Sequence, residues 1–352
     1  MTQSQTSKCD FVKWLVIPAL ALLETATVFH PIVMAQQEGG GTIVFTHAPD
    51  SGPPWPVEDI YAMDADGKNV RALTRDGHSH DPAWSSDGRH VVFVHDSRLQ
   101  MPTHNEDKQF ESHHPIELYV MDRDGANPHL VWRTGLAIFS AAWSPDGKLL
   151  AVSTAVQAPA SRSPAGNEPM RSGLFLLSAD GQGEPRLLFR DALTPAWSPD
   201  GTRLAFSMER PRGQWAVHVA TVDGSHDVQL TEPPRSGGSP AWSPDAKLIA
   251  FEEFADQRHQ QIFVMELDGS HRRQITTDSN WSCGHPSWSR DGQRLVFGCR
   301  SASAPCGGVS SVGKLLPECT RRLFSISPFD PGSRPVQLGE RDGMLPQFDP
   351  SR

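Results

Sequence analysis

Fifteen histidines and five cysteines hold most of the chemistry open to this 352-residue chain. His80-Asp81 stand just before Pro82, and His285 stands just before Pro286, so two imidazoles take corresponding places in similar stretches. Thr194 before Pro195 and Ser239 before Pro240 fill the same place elsewhere. Imidazoles beside a carboxylate can hold a divalent transition ion, which makes His80 and His285 the candidate metal ligands. Against that reading, the histidines are scattered and no H-x-x-x-H spacing occurs. His47 and His95 close apolar runs, and His104, His113 and His114 lie in a polar stretch, where exposed histidine is commonly just polar.

The elements that must position these groups repeat along the chain. One unit reads apolar strand, D-G turn, "LT" strand, P-x-W-S-P-D-G turn and a closing "xxF" strand. Its five clear copies begin at Ile60, Leu118, Leu174, Val217 and Ile262, and their turns read PAWSSDG, AAWSPDG, PAWSPDG, PAWSPDA and PSWSRDG. A degraded sixth copy starts at Leu323 and continues with LPQFDPS from Leu345. Ser-Pro-Asp-Gly suits a type I turn in which Asp caps locally and Gly takes positive φ. Asp146, Asp200, Asp245 and Asp291 are therefore turn formers, and the spacing of a calcium loop is absent. The Trp before each turn supplies area for packing between neighbouring sheets.

Proline recurs at positions 82, 195, 240, 286 and 346. It cannot donate to a ladder, so this strand must be an edge, as the innermost strand of a propeller blade is. The sixth copy lacks its closing strand, and Thr42–Thr46 (TIVFT) is unclaimed. The expected fold is all-β: a six-bladed propeller of four-stranded blades, closed by pairing the N-terminal strand with the C-terminal blade.

The repeat tryptophans Trp84, Trp143, Trp197, Trp242 and Trp288 are 59, 54, 45 and 46 positions apart. The excess falls in one connection, from the "xxF" strand to the next apolar strand. Ser97–Glu117, Val156–Ser172, Ser301–Arg322 and His47–Asp59 are long, while Arg210–Ala216 and Ala255–Gln261 are short. Repeat proteins concentrate such insertions on a binding face, which predicts a lopsided crown on one rim. The residues expected to bind are His80, Asp81, Thr194, Ser239 and His285 at the channel mouth, with Trp55, His113, His114 and Trp281 on the crown. Trp281 serves equally well as a plug at a blade edge.

Residues 1–35 have the parts of a secretory signal peptide: Lys8 and Lys13, an apolar run Trp14–Leu23, and a Val33-Met34-Ala35 exit. Glu24, His30, Pro18 and Pro31 interrupt that segment, and an uncleaved anchor is the alternative. Removing it takes Cys9 away and leaves Cys283, Cys299, Cys306 and Cys319, an even set suited to an oxidising compartment. Counting back from a turn that pairs Ser289 with Gln293 sets Cys283 opposite Cys299, leaving Cys306 with Cys319. Four cysteines permit three pairings. The mature domain is then 36–352, periplasmic or secreted. A net charge of -9 gives no basic face for nucleic acid, and no later apolar run spans a bilayer.

The PAWSPDG and IYAMDADG units resemble TolB-type propeller repeats, over Thr42–Arg352. The resemblance implies the propeller and an envelope setting, and is weak for function. TolB carries an α/β domain before its propeller, and here few residues separate Ala35 from the first strand. Oligogalacturonate lyases, which are similar in repeat type, hold a metal in a histidine-rich channel. Prolyl-oligopeptidase-like enzymes share the repeat but need G-x-S-x-G, which Gly307–Gly313 (GGVSSVG) does not supply. A sialidase-like propeller needs a free tyrosine, whereas Tyr61 and Tyr119 occupy one repeat position. The expectation is a non-catalytic platform binding an envelope protein or small ligand without a cofactor. The alternative is a metal-dependent lyase or hydrolase acting on a sugar or acidic substrate.

Overall fold

The computed structural model describes residues 42–47, 58–96, 116–156, 171–211, 213–232, 236–256, 259–301 and 321–338. Among them every regular element is a strand, and each pairs antiparallel with the next along the chain inside six sheets. The first blade holds β4 (Ser79–Trp84), β5 (His90–Asp96), β6 (Ile116–Asp122) and β7 (His129–Thr134). The second holds β8 (Ile138–Trp143), β9 (Leu149–Val156), β10 (Arg171–Ser178) and β11 (Arg186–Arg190). The third holds β12 (Ala192–Trp197), β13 (Arg203–Arg210), β14 (Gln214–Thr221) and β15 (Val228–Gln229). The fourth holds β16 (Gly237–Trp242), β17 (Leu248–Phe254), β18 (Gln260–Glu266) and β19 (Arg273–Gln274). The fifth holds β20 (Trp281–Trp288), β21 (Leu295–Ser301), β22 (Arg321–Ile326) and β23 (Val336–Leu338). The sixth shows β1 (Thr42–His47), β2 (Asp59–Asp64) and β3 (Arg71–Ala72).

Blades one to five therefore start in the middle of a sequence unit, at the strand before the Trp turn, and in four of them that edge strand carries the repeat proline, as Pro requires of its position. Successive inner strands lie against one another in the order β4, β8, β12, β16, β20, and β1 lies against β4. Ile43, Phe45 and Met63 of the sixth blade share an apolar cluster with Leu323 and Leu338 of the fifth. The ring of sheets is closed by that packing, which makes a six-bladed propeller. The fourth, innermost strand of the sixth blade was expected from Leu345, which lies outside the described residues.

The same contact recurs in four of the five four-stranded blades, and in the second Val152 stands opposite Phe175 instead. The "xxF" phenylalanine sits directly opposite an aromatic ring of the next strand: Phe93 opposite Tyr119, Phe206 opposite His218, Phe251 opposite Phe263, Phe297 opposite Phe324. These pairs have centroids 5.7–6.2 Å apart, within the range where stacked rings attract. Both tyrosines are members of this set, so the fold accounts for them.

Between blades, four of the five repeat tryptophans donate the indole N–H to the carbonyl just before the preceding blade's tryptophan. The bonds are Trp143 to Ala83, Trp197 to Ala142, Trp242 to Ala196 and Trp288 to Ala241, at 3.1–3.2 Å. Gly125, at φ +92, completes a D-G turn so close to the neighbouring blade that a Cβ would lie 2.6 Å from the Leu73 carbonyl oxygen.

The Ser-x-Asp-Gly turns close as their composition demands. In each, the Ser hydroxyl donates to the Asp carboxylate, as Ser198 does to Asp200 at 2.6 Å. The same carboxylate then accepts the N–H two residues on, and the serine oxygen accepts the N–H five on. The Ser198 hydroxyl, then the Thr202 N–H, hold the Asp200 carboxyl down at about 2. Asp146, Asp245 and Asp291 are lowered in the same way, first by Ser144, Ser243 and Ser289.

A carboxyl depressed in the fold contributes stability above its unfolded value near 4 and loses it as pH falls through the folded value. Thermal stability is thus expected to drop between pH 4 and pH 2, and Asp200→Asn should flatten that part of the profile. Melting curves across pH 2–7 check this; an unchanged slope in the variant would count against the turn assignment.

Candidate functional site

The inner strands are not regular. Each carries a one-residue register shift against its partner, between His80 and Ala83, Ile138 and Ser140, Leu193 and Ala196, Gly238 and Ala241, and Gly284 and Ser287. In four of the five the residue before proline has positive φ: Asp81 (+53), Thr194 (+49), Ser239 (+47) and His285 (+54). The residue before proline normally prefers extended backbone, and a β-branched threonine at positive φ is an outlier. Positions of this kind cost about 1–3 kcal/mol each and persist only where the surroundings fix them.

Three of them are fixed by a hydrogen bond to the preceding blade of the ring. The bulge turns the backbone N–H out of its own ladder and into the gap between sheets. Asp81 N–H donates to Thr46 Oγ1 at 3.1 Å, Ser239 N–H to Ser207 Oγ at 3.0 Å, and His285 N–H to Glu252 Oε2 at 2.9 Å. The three acceptors occupy one repeat position, just after the "xxF" phenylalanine. At that position β5 has Val94, which cannot accept, and the following strand β8 has Ser140-Ala141 and no positive φ at Ser140. Ser140 instead shares a 2.7 Å hydrogen bond with Ser153 of its own blade.

These groups form a polar arc along the inner strands of blades two to five. It runs through Ser140 with Ser153, Thr194 with Ser207 (2.6 Å), Ser239 with Glu252 (3.1 Å), and His285. Thr194, Glu252 and His285 are partly exposed, while Ser207 is buried. On the first blade His80 and Asp81 are buried, with His80 Nδ1 2.9 Å from Asp81 Oδ2. The sheet β1–β3 stands between β4 and β20 in the ring, so it separates His80 from His285. Among the described residues no three of His, Cys, Asp and Glu converge as a metal site.

Strand directions put the long connections on one rim. His47, Asp96, Val156 and Ser301, where they leave, all lie at the ends of second strands, beside the starts of inner strands such as Ser79 and Trp281. At that rim the His95 ring approaches those of His78 and Tyr119, each with centroids 6.0 Å apart, and His47 meets Tyr61 edge-on at 5.1 Å. Trp281 packs edge-on to Phe324 at 5.4 Å, with the Arg322 guanidinium 5.3 Å over its ring. Trp55, His113, His114, Cys306 and Cys319 lie outside the described residues.

Cys283 and Cys299 form a disulfide and are directly opposed in the ladder. The route to that pairing differs from the sequence count. The turn pairs Ser289 with Arg294, one residue further than Gln293, and the bulge at His285 restores the register before Cys283. Glu252 was not anticipated as a site residue. The signal available was its charge at a position held by Thr46, Val94, Ser153, Ser207 and Gly298 in the other blades.

Sheet order, ring closure and a polar channel arc define a six-bladed β-propeller. Residues 167–306 match the family described as the TolB beta propeller domain. No curated protein sequence matches. Among solved structures, TolB from Acinetobacter baumannii is similar, with TM-score 0.60 and 16% identity over 82% of this chain. The alignment spans 61% of that TolB, less than two thirds of its length. An oligogalacturonate lyase from Vibrio parahaemolyticus aligns over 87% of this chain and 77% of its own, with TM-score 0.53 and 13% identity. Another oligogalacturonate lyase, in complex with manganese, gives TM-score 0.52 and 13% identity over 88% of each chain. At such identities the shared property is the fold.

Proposed function

We propose that this chain is an exported, non-catalytic propeller that serves as a binding platform in the cell envelope. It takes a protein or small ligand at the channel mouth and on the rim that carries the long connections. The observation that carries this reading is the bulged inner ring. Side chains at the channel mouth are held by bonds between blades, so they meet a ligand with little ordering cost. Preorganised concave sites lined by a few convergent polar groups are the usual form of a ligand site. The likeness to TolB and the cysteines of the fifth blade support the envelope setting.

Replacing residues 97–115 by a connection as short as 211–213, then capturing partners from an envelope extract, tests it. Loss of a partner held by the unaltered protein is expected. Identical partner sets for both proteins would sink the role of that rim. The likeness to oligogalacturonate lyases keeps a second reading, a metal-dependent lyase or hydrolase for a sugar or acidic substrate. A stoichiometric transition ion in purified protein would favour that reading.

A further inference from the structure

Glu252 is the one member of the channel arc that carries a carboxylate and is partly exposed. Its strand partner is Gly238, and its head group lies against Gly284 of the next blade. A Cβ at Gly284 would overlap Glu252 Oε2, and one at Gly238 would lie 2.8 Å from Ser207 Oγ. Neither glycine has the left-handed φ that favours the residue, so both stand there for the space they leave. Other blades fill the corresponding position, with His80 and Leu193. Blades four and five thus make room, at positions without a side chain, for the Glu252 head group and the Ser207 hydroxyl.

The carboxylate is also held in place. Ser239 Oγ–H donates to Oε1 at 3.1 Å and His285 N–H donates to Oε2 at 2.9 Å. Both donors belong to positive-φ residues whose backbone is fixed by the bulges. An ionised carboxylate has about four acceptor sites, so one donor per oxygen leaves each oxygen able to accept another. A fixed carboxylate with acceptor capacity left on both oxygens suits the planar fork of a guanidinium, which bonds both oxygens at once.

We infer that Glu252 is a docking carboxylate for a guanidinium group, presented by an arginine of a partner protein or by a small guanidine. The inference rests on the binding-platform reading and gives that channel mouth a ligand chemistry. Ser239 and His285 act as positioning residues for Glu252, and the absence of a side chain at Gly284 lets its head group lie there. The neighbouring Thr194–Ser207 hydroxyls supply neutral hydrogen bonds to whatever carries the guanidinium.

The test is calorimetric titration with the peptide acetyl-Gly-Arg-Gly-amide, its citrulline counterpart and L-argininamide. The arginine peptide is expected to bind at least tenfold tighter than the citrulline peptide, and more weakly as salt rises. Glu252→Gln keeps the size, with its oxygen accepting from His285 N–H and its amide donating to Ser239 Oγ, but should cost at least tenfold, with an unchanged melting curve showing that it folds. Equal affinity for L-argininamide and the peptide supports a free guanidine as the source, and tighter peptide binding supports a protein. Equal binding of arginine and citrulline peptides overturns the inference without any variant, as does absence of binding. Neither result touches the rim deletion above, so the two failures are distinguishable.

Discussion

A chain ended at Leu338 is expected to lose its cooperative unfolding transition at ordinary temperature. Among the described residues nothing pairs with the inner edge of β1, although each of the five other inner edges of second strands is covered by a proline-position strand. Trp84 adds a second argument. Its indole N–H is buried and without a hydrogen-bond partner, whereas its four equivalents each donate to a carbonyl of the preceding blade. The blade before Trp84 is the sixth, and the sequence offers Leu345-Pro346-Gln347-Phe348 at the matching repeat position. The strand that the repeat predicts there would cover several apolar side chains at about 2 kcal/mol each, a sum comparable with a typical total stability of about 5–15 kcal/mol. Circular dichroism and urea unfolding of the shortened chain check this. A melting temperature within 2 °C of the full chain's would show that residues 339–352 cover nothing.

Trp84 also allows a finer comparison in the full chain. Trp197→Phe and Trp242→Phe each remove one buried indole bond, worth about 1 kcal/mol. Trp84→Phe should cost as much if Gln347 supplies a carbonyl, and less if the N–H is truly unpaired.

Blade number and strand order were readable because each requirement is local and repeated. Pro cannot sit inside a ladder, Asp-Gly must turn, and Trp beside the turn must be covered. The bulges were not readable. A residue before proline is ordinarily extended, so Asp81, Thr194, Ser239 and His285 gave no sign of positive φ. That conformation depends on an acceptor from another blade, which only the closed ring brings near. Cys283 met Cys299 although the turn was counted one residue short, because the unforeseen bulge cancelled the error. Glu252 escaped notice because LIAFEEF reads simply as a strand. Its head group lies where Gly284 of the following repeat has no side chain, and the bulges that aim it there were not foreseen.

Replacing both Cys283 and Cys299 by alanine is expected to lower stability by about 3 kcal/mol, the entropic value for a closed loop of this length. For a chain of this size that is about 5 °C in melting temperature. The bond joins positions 16 apart and links the inner strand of the fifth blade to its second strand. Both cysteines are buried, at 4% and 3% exposure, among Ile262, Trp288, Phe297 and Phe324. A reductant reaches such a bond only after local opening, so dithiothreitol should leave the native melt unchanged at first. It should lower the melt toward that of the variant only after unfolding and refolding. Strand β20 also carries His285, whose bulge lies two residues past Cys283 and orients Glu252. Loss of the disulfide is therefore expected to weaken arginine-peptide binding more than it weakens the folds of blades one to three. Hydrogen exchange resolved by peptide, with and without reductant, measures both effects. Rapid reduction of the native protein with no change in exchange near His285 would leave the disulfide without a structural role at the channel mouth.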